Sequence, residues 1–134
     1  MLRCASLFSQ VLSLVNRTNF AVAVKTFRAE KAAKGFNCWD QFVAMLFCQL
    51  AQAKSLREIT QGLLCCEGKL QHLGMQAAPK RSTLSYANAH RPWKLYERVF
   101  YDLLEQCRPL APRHKFRFKN KLLSLDATVI ELCL

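Results

Sequence analysis

This sequence predicts a mainly α-helical domain over residues 1–110, followed by a linker and a short β-strand or hairpin at 111–134. Three observations carry that expectation. Gly and Pro number only four each in 134 residues, which favours helices with short connections over a turn-rich sandwich or barrel. Hydrophobic residues make up 51% of the chain, too many for a disordered segment. The apolar positions recur at helical spacing between recognisable start and stop signals. The length suits one compact domain with a modest core.

The elements follow in order. Phe8, Val11, Leu12 and Val15 lie at helical spacing and predict a first helix over 7–15. Arg17, Thr18 and Asn19 form a polar break, and Thr18 or Asn19 can cap a second helix running to Arg28. Residues 30–34 are charged and small, and Gly35 closes this connector. Asn37 is a candidate N-cap for the next helix, with Asp40 in its first turn complementing the helix dipole. Phe42, Val43, Met45, Leu46, Phe47 and Leu50 make that helix apolar on most sides, which predicts a central position.

Ser55 followed three residues later by Glu58 has the form of a capping box. The helix it opens would turn Leu56, Ile59, Leu63 and Cys66 inward. A short helical turn over 67–72 ends at Gly74, where a left-handed residue is expected. Ser82 then stands as the N-cap of a short helix that Pro92 terminates, with Arg91 biased toward an extended backbone. Residues 93–107 form a long amphipathic helix. Its face is built by Leu95, Val99 and Leu103, widened by Tyr96, Phe100 and Leu104. Pro109 and Pro112 end the helical part, and residues 114–121 alternate basic and apolar side chains as a linker or edge strand does. Residues 122–134 open as a hydrophobic strand whose first acid is Asp126.

Lys plus Arg total 20 against 9 acids, a net charge of +11. A chain this basic attracts polyanions, and nucleic acid is the commonest one. The seven cysteines lack C-x-x-C spacing and are odd in number, so they are expected as reduced, mostly buried thiols of a cytosolic protein. Their spacing does not support a zinc site with His72, His90 or His114. Residues 1–29 hold no acid, as in a mitochondrial transit peptide; a basic amphipathic start to a cytosolic domain explains them as well and is preferred. The apolar run 42–48 is too short to span a bilayer. The expected location is the bacterial cytoplasm, in association with the nucleoid.

The stretch 79–93 carries the functional expectation. Leu84 and Ala87 can face inward together, while Lys80, Arg81, Ser82, Thr83, Ser85, Tyr86, Asn88 and Arg91 offer cations and hydrogen-bonding groups outside. A short helix of this kind after a Gly-containing turn follows helix-turn-helix order, with a longer turn than usual, and suits a DNA major groove. A surface helix with ordinary polar residues has the same pattern. Arg81 and Arg91 suit phosphates, and Asn88 suits an adenine edge.

Order and spacing through most of the chain resemble the N-terminal part of an IS4-family transposase. The matching segments are Phe36-Asn37-Cys38-Trp39-Asp40-Gln41-Phe42, Gln49-Leu50, Ser55-Leu56-Arg57-Glu58-Ile59, Lys69-Leu70-Gln71-His72-Leu73-Gly74, Arg81-Ser82-Thr83-Leu84-Ser85-Tyr86-Ala87-Asn88, Arg91-Pro92-Trp93, and residues 125–134. The resemblance implies a helical DNA-binding region ahead of an RNase H-like catalytic domain, whose Asp-Asp-Glu triad holds two metal ions. By resemblance Asp126 matches the first triad acid, and as such a magnesium ligand in the complete protein. Glu131 lies five residues on and points to the opposite face of the presumed strand, so it cannot complete a two-metal site. The implied chain is a truncated transposase that binds DNA without being an enzyme, with no cofactor of its own and Mg2+ expected for the full-length family. Its implied partners are double-stranded DNA at transposon terminal repeats and full-length transposase, without a membrane. The competing expectation is a non-functional or oligomerising remnant with non-specific nucleic-acid affinity, its apolar tail bearing Ile130, Leu132 and Leu134.

Overall fold

A computed structural model describes residues 7–31, 33 and 35–110. The strand and linker expected at 111–134, with Asp126, lie outside them. The described part is mainly helical: α1 Leu7–Ser13, α2 Arg17–Thr26, α3 Cys38–Ala51, α4 Leu56–Cys65, a 3-10 helix at Glu67–Leu73, α5 Arg81–His90, α6 Lys94–Cys107 and a 3-10 turn at Arg108–Leu110.

Local chemistry sets most of the boundaries. The Asn16 side chain caps α2, accepting from the backbone N–H of Thr18 at 2.9 Å and of Asn19 at 3.1 Å. This corrects the expected Thr18 or Asn19 cap. Ser13 ends α1, Val15 is buried, and the chain must turn at the next polar side chain. At α3 the capping box is complete: Asp40 N–H donates to Asn37 Oδ1 at 2.8 Å, and Asn37 N–H donates to Asp40 Oδ2 at 3.2 Å. At α4, Glu58 N–H donates to Ser55 Oγ at 3.2 Å, while the Glu58 carboxylate reaches back to Lys54 N–H at 2.9 Å. Gly74 closes the 3-10 helix with a left-handed φ of 77°.

The helix α5 starts two residues earlier than Ser82 capping would require. Lys80 has the extended N-cap backbone and gives no side-chain cap bond, so Ser82 lies inside the first turn. Pro79 is buried, and the chain leaving it enters the helix directly. The expected stop is present: Arg91 is extended, with φ −81° and ψ 143°, ahead of Pro92.

Packing organises these pieces around α3, which contacts both α4 and α5, while α4 also contacts α5. Ile59, Leu63, Leu70, Leu84, Leu95 and Val43 are fully buried at this centre. The α3–α4 contact is close because Gly62 has no side chain; a Cβ there would stand 2.8 Å from the Phe47 ring. An aromatic cluster ties α2, α3 and α6: Phe20 meets Trp39 edge-on at 5.2 Å, and Phe42 lies 5.5 Å from Trp39 and 6.5 Å from Tyr96. Three expected core positions are outside it. Leu50 is 54% exposed, Phe100 58% and Leu104 41%. The central helix therefore buries a side rather than its whole circumference, and α6 covers the core with a narrower stripe than its sequence pattern suggests.

Cys38 and Cys48 are buried, Cys66 is half-buried, and Cys65 and Cys107 are exposed. Burial pushes the Cys38 thiol up to about 11, away from the reactive thiolate. Alkylation of the native chain at neutral pH is expected to modify Cys65 and Cys107 while Cys38 and Cys48 are protected until unfolding. Peptide mass mapping checks this, and rapid native labelling of Cys38 would contradict the packing of α3. Among the described residues no helix is long and apolar enough to cross a membrane, and no three metal-ligating side chains converge.

Candidate nucleic-acid interface

The helix α5 is held by the seam the sequence predicts. Leu84 and Ala87 are buried, and α5 rests on α3 and α4. Lys80, Arg81, Ser82, Ser85 and Tyr86 are exposed, and Thr83 is half-buried. No acid occurs between Glu67 and Glu97, so this surface opposes its cations with no local negative charge. The first-turn N–H groups of α5 meet no side-chain cap, which leaves donors facing outward at the positive end of the helix dipole.

Two of the eight expected contact residues are engaged elsewhere. The Arg91 guanidinium donates to Asn37 O at 2.8 Å, to Gln41 Oε1 at 3.0 Å, and to Phe36 O. It clasps the start of α3 rather than projecting outward, and lies over the Phe36 ring at 5.3 Å. Asn88 Oδ1 accepts from buried Gln41 Nε2 at 2.7 Å, and Asn88 Nδ2 donates to Met45 Sδ at 3.4 Å. A bidentate adenine contact would have to compete with both. These two residues join α5 to α3, and the joined residues lie 43 to 55 positions apart in sequence.

Beneath this junction lie buried polar groups. Burial raises the Asp40 carboxyl above the usual range, opposed by the Asn37 hydrogen bond and by the charges of Arg91 and Arg17. Burial also raises the Tyr96 hydroxyl. Asp40 Oδ1 and Tyr96 Oη are buried without a hydrogen-bond partner among the described residues.

Beside α5 a cleft of about 270 Å³ opens between Thr83, Tyr86 and His90 on one wall and Arg28 and Lys31 on the other. His90 stacks on Tyr86 with ring centroids 3.9 Å apart, and its Nδ1 lies 2.9 Å from Tyr86 O. In the sequence Arg28 reads as the end of the second helix and Lys31 as a connector residue, whereas α2 ends at Thr26 and both follow it. Their one local sign is positive charge just before Gly35; their meeting with α5 depends on tertiary packing.

A family model described as a domain of unknown function (DUF4372) matches residues 3–76. No curated protein matches the chain. No solved structure matches it. The matched stretch contains α1 to α4 and the 3-10 helix that carry α5, and it spans more than half of the sequence. This chain belongs to the DUF4372 family.

Proposed function

We propose that this chain is the DNA-binding N-terminal part of a DDE transposase of the IS4 type, which recognises transposon ends through α5 as the reading helix of a variant helix-turn-helix. The observation that carries the reading is an acid-free helix anchored by Leu84 and Ala87, with Lys80, Arg81, Ser82, Ser85 and Tyr86 exposed. The order α4, Gly74 turn, α5, with both helices on α3, supports it. DUF4372 domains are common at the N-terminus of transposases. In this reading Arg81 and Lys80 hold phosphates, Ser82, Ser85, Thr83 and Tyr86 face the groove, and Arg91 and Asn88 keep α5 in place. Strand cleavage in such enzymes needs three acids and two metal ions, and Asp126 is the one this sequence offers by resemblance. The proposed role is binding, in the cytoplasm, with magnesium chemistry assigned to a complete transposase.

A titration against the element's terminal repeat and a scrambled duplex, at two salt concentrations, tests this. The repeat is expected to bind tighter, with a preference that survives the higher salt. Arg81→Ala is expected to reduce the log–log salt slope by about 0.9, one phosphate contact, with stability unchanged within about 0.5 kcal/mol. Equal binding of both duplexes that collapses with salt would mean that the net charge alone accounts for affinity.

An oligomerising remnant is a second reading, favoured by Phe100, Tyr101 and Leu104 standing exposed together on α6. A monodisperse monomer on size exclusion in DNA-free buffer would count against it.

A further inference from the structure

We infer that the cleft between α5 and the α2–α3 connector seats a backbone phosphate of the bound DNA, with Arg28 and Lys31 as its cationic wall. The inference rests on the DNA-binding reading above and extends the interface to a segment 50 residues away in sequence. The cleft's residues have the required chemistry. Arg28 and Lys31 are exposed cations on one wall, and the Thr83 hydroxyl is a donor on the other. Among the described residues no carboxylate lines it. Glu30, which stands between the two cations in sequence, is turned away to accept from Cys38 N–H. Buried Ala29 and Ala87 make part of the lining apolar, which strengthens a charge-assisted bond there.

The wall is also fixed in place. Arg28 has a left-handed backbone with φ 50°. Arg28 N–H donates to Lys25 O at 3.1 Å, and Ala29 N–H to Val24 O at 3.0 Å. The volume, about 270 Å³, is close to the lower end of small-molecule sites, roughly 300 Å³. It accommodates one phosphate with part of its sugar and excludes a duplex. Tyr86 belongs both to the cleft rim and to the exposed face of α5, with 65% of its surface accessible. A strand whose groove receives α5 can therefore continue into the cleft.

The test uses the full chain and the double variant Arg28→Asn with Lys31→Gln; asparagine tolerates the left-handed backbone at 28. Thermal melting confirms that the variant folds. Each phosphate contact contributes about 0.9 to the log–log salt slope, so losing the one seated here should shrink the affinity drop between about 50 and about 200 mM salt roughly threefold. Affinity at the lower salt should itself fall at least roughly tenfold. An unchanged slope in the double variant, with Arg81→Ala still flattening it, would overturn the cleft and leave the α5 reading intact. If neither variant moves the slope, both fail. Inorganic phosphate or a mononucleotide binding the wild type as tightly as duplex would place a free ligand in the cleft and overturn the backbone assignment.

Discussion

Arg91→Ala is expected to destabilise the fold by about 2–4 kcal/mol, from hydrogen bonds to a charged group at about 1.5–3 kcal/mol each, discounted because the side chain is only half-buried. Three acceptors each lose a donor at once, Phe36 O, Asn37 O and Gln41 Oε1, and Asn37 O keeps the Gln41 N–H at 3.2 Å. Gln41 is 2% exposed and bonds Asn88 through its other amide atom. Losing Arg91 therefore loosens the second link between α5 and α3 as well. Arg91→Lys should recover only part of the loss, because a single ammonium lacks the planar fork that reaches several acceptors. Urea unfolding of the three proteins checks the order wild type, Lys, Ala. The contrast with Arg81 is the informative part. Arg81→Ala should leave the unfolding midpoint in place and change DNA affinity. Arg91→Ala should move the midpoint and reduce affinity through the displaced helix. Full stability with lost affinity in Arg91→Ala would restore the phosphate role that the sequence pattern suggests.

The contrast also shows what was legible in the sequence. Signals that act within one turn were readable: the Asn37–Asp40 and Ser55–Glu58 pairs, left-handed Gly74, the stop at Pro92, and the Leu84–Ala87 seam. The pairs depend on residues three positions apart, where backbone geometry alone fixes who can meet, and Gly74 and Pro92 act through their own backbones. The errors have the opposite character. Ser82 has the right side chain for a cap, yet the path out of buried Pro79 starts the helix at Arg81. Arg91 and Asn88 look like surface polar residues until α3 is placed beside them. Phe100 has the correct helical spacing for a core residue, but α6 has no neighbour on that side among the described residues. The exposed part of α5 was legible because solvent exposure follows from the helical period. The cleft was not, because Arg28 and Lys31 meet Tyr86 only after the chain has folded back across α3.

Gly74→Ala should also destabilise by about 2–5 kcal/mol, combining a left-handed backbone penalty of about 1–2 kcal/mol with overpacking of about 1–3 kcal/mol. The added Cβ would stand 2.9 Å from Arg17 Nη1 and 3.1 Å from Trp39 Nε1. Arg17 can yield, since it is an exposed side chain lying over the Trp39 ring at 3.7 Å. Trp39 has less freedom: its ring is 6% exposed, packs on Phe20 and Phe42, and donates from Nε1 to Leu73 O at 2.9 Å. Gly35→Ala provides the control, for Gly35 shares the left-handed φ, at 78°, with no described residue within 4 Å of an added Cβ. The difference between the two variants in urea unfolding isolates the steric part. Equal losses would mean that Trp39 adjusts freely and the backbone alone accounts for the effect. A larger loss at Gly74 would identify this contact as what fixes the turn from the 3-10 helix into buried Met75 and Pro79, and so sets where α5 begins. In that case DNA affinity should fall in Gly74→Ala even where the chain is still fully folded, since a shifted turn displaces Arg81 and Tyr86 together.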